Sequence, residues 1–428
     1  MVEISPNELK DIIVEMYLKG NRDSMLFIGD AGIGKSVAVY EASMKLAELL
    51  GKEFVVYDDL VAEDILREPE RYFVMVDFRL TEVEPSDLLG IPREFTNKYF
   101  NTNEFVGKFK CFINKVVGKR VFKVPELDFD VVIYKPLLWA MVLKKTKGIL
   151  FLDEITNVQR PDVQSAMYKI ILERRVGFIK FNDDVLVVSA GNSPEHSSIA
   201  GYLPAPFINR VKVFKIKSPT VEEWIDWMNW KYGDTWDKDV GVFLIRFPQY
   251  FNMKQQDVEL LEQFAKPRTW TKLALTIKDI DDVDRINIYA ESLIGREPTP
   301  PFITFKKYNP PDLDYLNEHP EEFSKLQVGE KYILISEIAG RVMTDYNSIK
   351  KLLLHLAECD NELIMPMLIL IPSDIRIQVL RKFMEDEDLK VVYEIIERST
   401  SDEFDDDEQE GDGDERSGED GNKAQKDN

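Results

Sequence analysis

The first half of the chain alternates between two hydrophobic rhythms, and each change of rhythm marks an element. Short, nearly unbroken apolar runs at 25–28 (MLFI), 72–80, 149–152 (ILFL), 185–189 and 211–216 have the length and composition of buried strands. Residues 6–18 instead show helical spacing, with Leu9, Ile12, Ile13, Met16 and Tyr17 on one face and Asn7 placed to cap. Residues 37–50, 136–145 and 162–174 also read as helices, and 176–181 reads as a further strand. The pattern predicts an α/β arrangement up to about residue 217.

From there on the helical rhythm dominates. Residues 219–232 carry Trp224, Trp227 and Trp230 at helical spacing, most simply as core. Another helix opens at Thr269, with Arg268 at its start. The prolines between 298 and 311 suggest a linker. Beyond it, 330–358 and 373–398 have helix-sized apolar faces, formed by Ile333, Ile335, Ile338, Ala339 and Val342, then by Ile375, Val379, Leu380 and Phe383. The expected organisation is an α/β domain over 1–217, a helical domain over 218–297, a linker over 298–329, a helical domain over 330–400 and an acidic tail over 401–428. That tail has one aromatic residue and almost no aliphatic ones, so it is expected to be disordered.

Composition narrows the functional classes. The chain has 428 residues and a formal charge of −22; the tail holds 13 acidic and 3 basic residues, so it carries −10 and the rest −12. An acidic body argues against a broad contact with a phosphate backbone. The stretch 91–134, expected as an insert, is locally basic through Lys108, Lys110, Lys115, Lys119 and Arg120. It reads equally as a surface excursion or as a substrate-facing insert. Cys111 and Cys359 form no disulfide framework, and three histidines show no metal-ligand spacing. With no apolar run of membrane-spanning length and no signal-peptide core near the start, a reducing cytoplasm is the expected location.

The most specific chemistry lies in GDAGIGKS at 29–36, which fits G-x-x-x-x-G-K-S between a strand and a helix. Such a loop cradles phosphates with its amides, here through Gly29, Asp30, Ala31, Gly32, Ile33, Gly34, Lys35, Ser36 and Val37. Lys35 would reach the β- and γ-phosphates and the Ser36 hydroxyl would ligate Mg²⁺. A second apolar strand runs into Asp153 and Glu154, where Asp153 can hold the Mg²⁺ shell and Glu154 can polarise an attacking water. Asn192 ends the strand at 185–189 and is expected beside the γ-phosphate if that strand neighbours the Asp153 strand.

Taken in order, these pieces resemble the AAA+ ATPases, and in finer pattern the MoxR group. The similar segments are PSDLLG at 85–90, GILFLDEI at 148–155, PDVQSAMYKIILERRVG at 161–177, LPAPFINR at 203–210 and KPRTWTKL at 266–273, within a resemblance covering about residues 5–295. It implies a central parallel sheet flanked by helices, followed by an α-helical lid and a further helical region. It also implies ATP and Mg²⁺ as cofactors, Arg210 as an arginine finger acting on a neighbouring subunit, Asn192 and Arg268 as first and second sensors, and a hexameric ring. A MoxR-like chain would remodel, mature or activate a protein partner, with a von Willebrand factor A domain suggested by the resemblance alone. The chain departs from the simplest members in the longer 53–71 segment, in the 91–134 insert, and in Ser193 standing between Asn192 and Pro194. A nucleic-acid motor similar to the McrB-like relatives is the alternative; the basic insert favours it and the acidic body opposes it.

Overall fold

The computed structural model describes residues 2–90, 92–95, 131–134, 137–193, 203–253, 263–308 and 310–398. Most of the basic insert and the acidic tail therefore lie outside the described residues. The chain divides into two units, Met1–Ser218 and Pro219–Asn428.

The first unit is built on a seven-stranded parallel sheet. Its strands are β1 (Glu3–Ile4), β2 (Met25–Gly29), β3 (Glu53–Val56), β4 (Tyr72–Arg79), β7 (Lys147–Asp153), β10 (Val185–Gly191) and β11 (Lys212–Ile216). They lie in the order β1-β11-β2-β10-β7-β4-β3. Parallel strands are covered on both faces, which is why the central ones read as unbroken apolar runs. All seven residues of β10 are buried. Alternate side chains feed two cores: Phe27, Met75, Phe151 and Val188 pack under α1 (Pro6–Leu18) and α2 (Lys35–Leu49). Leu26, Val76, Leu152 and Val187 face the helices Leu138–Lys145 and Pro161–Glu173.

Local chemistry sets the helix ends. Ser5, not Asn7, caps α1: its Oγ accepts from the Glu8 amide while Glu8 Oε2 accepts from the Ser5 amide, and Pro6 takes the first turn, where no donor is needed. The stretch expected as one strand at 176–181 is a hairpin of β8 (Arg175–Val176) and β9 (Ile179–Lys180), turned at Gly177 with φ of 51°. The insert is closed at its base by β5 (Pro92–Phe95) paired antiparallel to β6 (Val131–Tyr134).

The second unit is helical, and its described residues share one core running from Val221 to Ile396. Where a linker was expected, the described residues of the proline-rich passage hold helices Thr299–Lys306, Leu313–Glu318 and Pro320–Lys325, with Phe302, Leu316 and Phe323 fully buried. Prolines in first helical turns look like linker residues in a sequence, yet they cost those helices no hydrogen bond. Trp224 is core as expected, Trp227 is partly buried, and Trp230 is exposed. Lys306 ties three elements together, its ammonium 3.0 Å from Asp237 and 2.7 Å from Asp239 in a largely buried cluster that Ser336 joins through Asp239. Among the described residues no helix is long and apolar enough to cross a membrane.

The sheet offers a direct test of its packing. A Cβ at Gly148, where β7 passes β4, would lie 1.9 Å from the Val74 carbonyl oxygen. Gly148→Ala is expected to destabilise the first unit by about 3 kcal/mol through backbone displacement, read as a lowered urea midpoint; an unchanged midpoint would contradict this strand packing.

Candidate functional site

The register of β2, β10 and β7 brings three strand ends together. Gly191 pairs with Ile28, and Ser189 pairs with Leu152, so the segments beginning at Asp30, Asn192 and Glu154 leave the same edge of the sheet. Carboxyl ends of parallel strands are where open α/β sheets bind ligands. The loop after β2 turns through Gly32 and Gly34, whose φ values of 82° and 103° lie in the left-handed region. A Cβ at Gly34 would meet nothing nearer than Pro6, 3.7 Å away. The start of α1 therefore stands beside this loop.

Lys35 is buried, and its ammonium donates to the carbonyls of Gly29 and Asp30, both at 2.7 Å, and to Asn192 Oδ1 at 3.3 Å. Ser36 Oγ donates to Asp153 Oδ2 at 2.7 Å. A hydroxyl and a carboxylate in contact at the head of a helix are a suitable donor pair for a hard divalent cation. Among the described residues no group of three or more His, Cys, Asp or Glu side chains could hold a metal, so such an ion would draw its remaining ligands from phosphate and water.

Glu154 has a φ of 60°, in a region where a side chain costs on the order of 1 kcal/mol. Its amide donates to Asp153 Oδ1 at 2.8 Å, and its carboxylate accepts from Thr81 Oγ1 at 2.7 Å and lies 3.7 Å from Arg79 Nε. Asn192 is fixed through its backbone, whose N–H donates to the buried Thr156 hydroxyl at 2.8 Å. That approach requires glycine at 191, where a Cβ would fall 2.7 Å from Thr156 Cγ2.

Thr81, Arg79 and Thr156 were missed by sequence reasoning, and so was Asp77 on β4. The available signal was their position at or just beyond strand ends. Asp77 lies on the sheet face of Asp153. Although its side chain reaches solvent, partial desolvation and repulsion from Asp153 push its pKa up to about 6.

Arg210 stands apart from this cluster. It follows the turn Ala205–Ile208 and precedes β11, at the opposite end of the sheet. The five residues of β2 alone place about 16 Å between the two ends. Its guanidinium is exposed and makes no hydrogen bond or ion pair among the described residues. Arg268 belongs to the second unit, exposed in the first turn of helix Pro267–Thr276.

This arrangement is a phosphate-loop α/β fold with a helical C-terminal region. No family model matches the chain, and no curated protein matches it. Among solved structures it is similar to C. elegans PCH-2 at 13% identity, covering 71% of this chain and 68% of that one with a TM-score of 0.29. A mutant of Thermotoga maritima RuvB is 12% identical, with coverage of 79% and 76% and a TM-score of 0.29. The Aeropyrum pernix ORC2 protein, in ADPNP-ADP complexes, is 10% identical, with coverage of 92% and 94% and a TM-score of 0.34. At such scores these likenesses assign neither family nor activity. The fold rests on the sheet and its loop.

Asp77 yields a prediction with a defined sign. Because its folded pKa is raised, ionisation costs stability above about pH 6, and the cost vanishes below the ordinary carboxylate range. Asp77→Asn should therefore stabilise the nucleotide-free protein at pH 7.5, by less than about 1 kcal/mol for so accessible a group, read as a raised thermal midpoint. At about pH 4 the gain should disappear. A gain of equal size at both values would mean that the carboxylate charge is not its source.

Proposed function

We propose that this protein is an AAA+ ATPase of the MoxR type, coupling Mg²⁺-dependent ATP hydrolysis in an oligomeric ring, on the family's pattern a hexamer, to remodelling of a protein partner. The observation that carries the proposal is the convergence of Lys35 on Asn192 at 3.3 Å and of Ser36 on Asp153 at 2.7 Å, from three adjacent strand ends. That convergence gathers the cation, hydroxyl, carboxylate and amide that hydrolysis of a phosphoanhydride would use. Phosphoryl transfer asks mainly for placement and charge compensation rather than covalent chemistry.

In this reading the loop amides and Lys35 hold the triphosphate, with Lys35 offsetting charge on its terminal phosphoryl group. Ser36 and Asp153 would hold Mg²⁺, which supplies further charge neutralisation when bound. Glu154 and Asn192 orient the attacking water. Thr81 and Arg79 hold the Glu154 carboxylate in place. Arg210 acts on the site of the adjoining subunit, a role favoured by its exposed position away from its own loop, with no side-chain hydrogen bond or ion pair among the described residues. Arg268, on the helical unit, is the second sensor, through which loss of the terminal phosphate would be transmitted as domain movement.

Lys35→Ala should abolish nucleotide binding. Arg210→Ala should still bind ATP but lose about 10³-fold or more in turnover, and mixing it with Lys35→Ala subunits should restore part of the hydrolysis. No restoration at any ratio, with assembly verified by light scattering, would contradict a shared site. Glu154→Gln, expected to bind ATP and stall, then serves as a trap in host cells. A protein co-purifying with it but not with Lys35→Ala supports remodelling, and one with a metal-binding von Willebrand-type domain supports the MoxR assignment. Nuclease-sensitive DNA or RNA in its place would favour the nucleic-acid motor.

A further inference from the structure

A groove of about 440 Å³ opens at the end of the sheet opposite the phosphate loop, beside Ser24 ahead of β2 and Arg210 ahead of β11. Arg22, Lys169, Arg174 and Arg210 line it against Asp23 and Glu173, an excess of positive charge in a strongly acidic chain. The four cations are not equivalent. Arg22 donates to the Tyr17 carbonyl at 2.6 Å and faces Asp184 at 3.3 Å, while Arg174 donates to the carbonyls of Asn182, Asp183 and Val185. These two are committed to holding the floor of the groove.

Lys169 and Arg210 are not committed. Both side chains are exposed, and among the described residues neither makes a hydrogen bond or ion pair. They come from separate elements, Lys169 from the last turns of helix Pro161–Glu173 and Arg210 from the turn before β11, and they line one concavity. Two like charges held on a concave surface focus the potential there and attract an anion. The chain's own phosphate loop lies about 16 Å away along β2, too far for either side chain to serve it.

We propose that Lys169 is a second cation acting in trans, which together with Arg210 clamps the polyphosphate of a nucleoside triphosphate held by the adjoining copy of the chain. This rests on the shared-site reading of Arg210 and adds a residue to it. The two groups divide the work by their chemistry. The Arg210 guanidinium offers a planar fork to a phosphate edge, and the Lys169 ammonium is a mobile point charge that needs no fixed geometry.

The test compares Lys169→Ala, Lys169→Arg and Arg210→Ala, each mixed with Lys35→Ala subunits, whose own loop is empty but whose groove is intact. Lys169→Ala should bind ATP at its own loop as the unmodified chain does, yet lose about tenfold to a hundredfold in kcat of the assembled ring. Lys169→Arg should keep most of the activity. Adding Lys35→Ala subunits should restore turnover to Lys169→Ala, because its intact loops then face an intact groove; a role confined to folding of its own subunit would show no such rescue. If Arg210→Ala is rescued while Lys169→Ala turns over normally, or is impaired without rescue, the assignment of Lys169 falls alone. If Arg210→Ala is not rescued, the shared-site reading falls and this inference with it.

Discussion

Val188 of β10 pairs with Met25 on one side and Phe151 on the other, and that register is what the site depends on. It makes three strands end at one edge, so a glycine loop, an acidic pair and an asparagine far apart in the chain become neighbours. A slip of one residue would turn every side chain of a strand to the opposite face and separate Ser36 from Asp153. The register is held by buried apolar side chains on both faces, which leave little room for an alternative. Glycine at 148, 29 and 191 permits close approaches, to Val74, Ile216 and Thr156.

That rigid frame supports a site whose parts are poised rather than relaxed. Glu154 keeps a backbone conformation that disfavours side chains, and its carboxylate is held by Thr81 and Arg79 from the neighbouring strand. Asp77 and Asp153 repel one another on the same face. A cation bound beside two mutually repelling carboxylates relieves that repulsion and binds with that energy in its favour.

The opposite end of the sheet has a different character. There Arg22 and Arg174 donate to backbone carbonyls, while Lys169 and Arg210 are exposed and make no side-chain hydrogen bond or ion pair among the described residues. The two ends of the sheet thus differ in chemistry: a glycine loop with Lys35, Ser36 and Asp153 stands at one, and at the other two exposed cations that make no side-chain hydrogen bond or ion pair among the described residues.

The sequence by itself determined the strands β2, β4, β7, β10 and β11, the glycine loop and the acidic pair, because each is encoded in residues adjacent along the chain: an unbroken apolar run, a glycine spacing, a carboxylate at a strand end. It also placed Asn192 and Arg210 at element boundaries. It could not show Thr81, Arg79, Asp77 or Thr156 at the site, since each arrives through the pairing of strands distant in sequence. Nor could it separate a linker from helices at 299–325, where proline in a first helical turn and proline in a connection look alike. Only the tertiary structure decided that Lys169 shares a groove with Arg210, because that neighbourhood depends on how helix Pro161–Glu173 packs beneath the sheet. Local chemistry is written in local sequence, whereas the company a side chain keeps is set by the register and packing of the whole sheet.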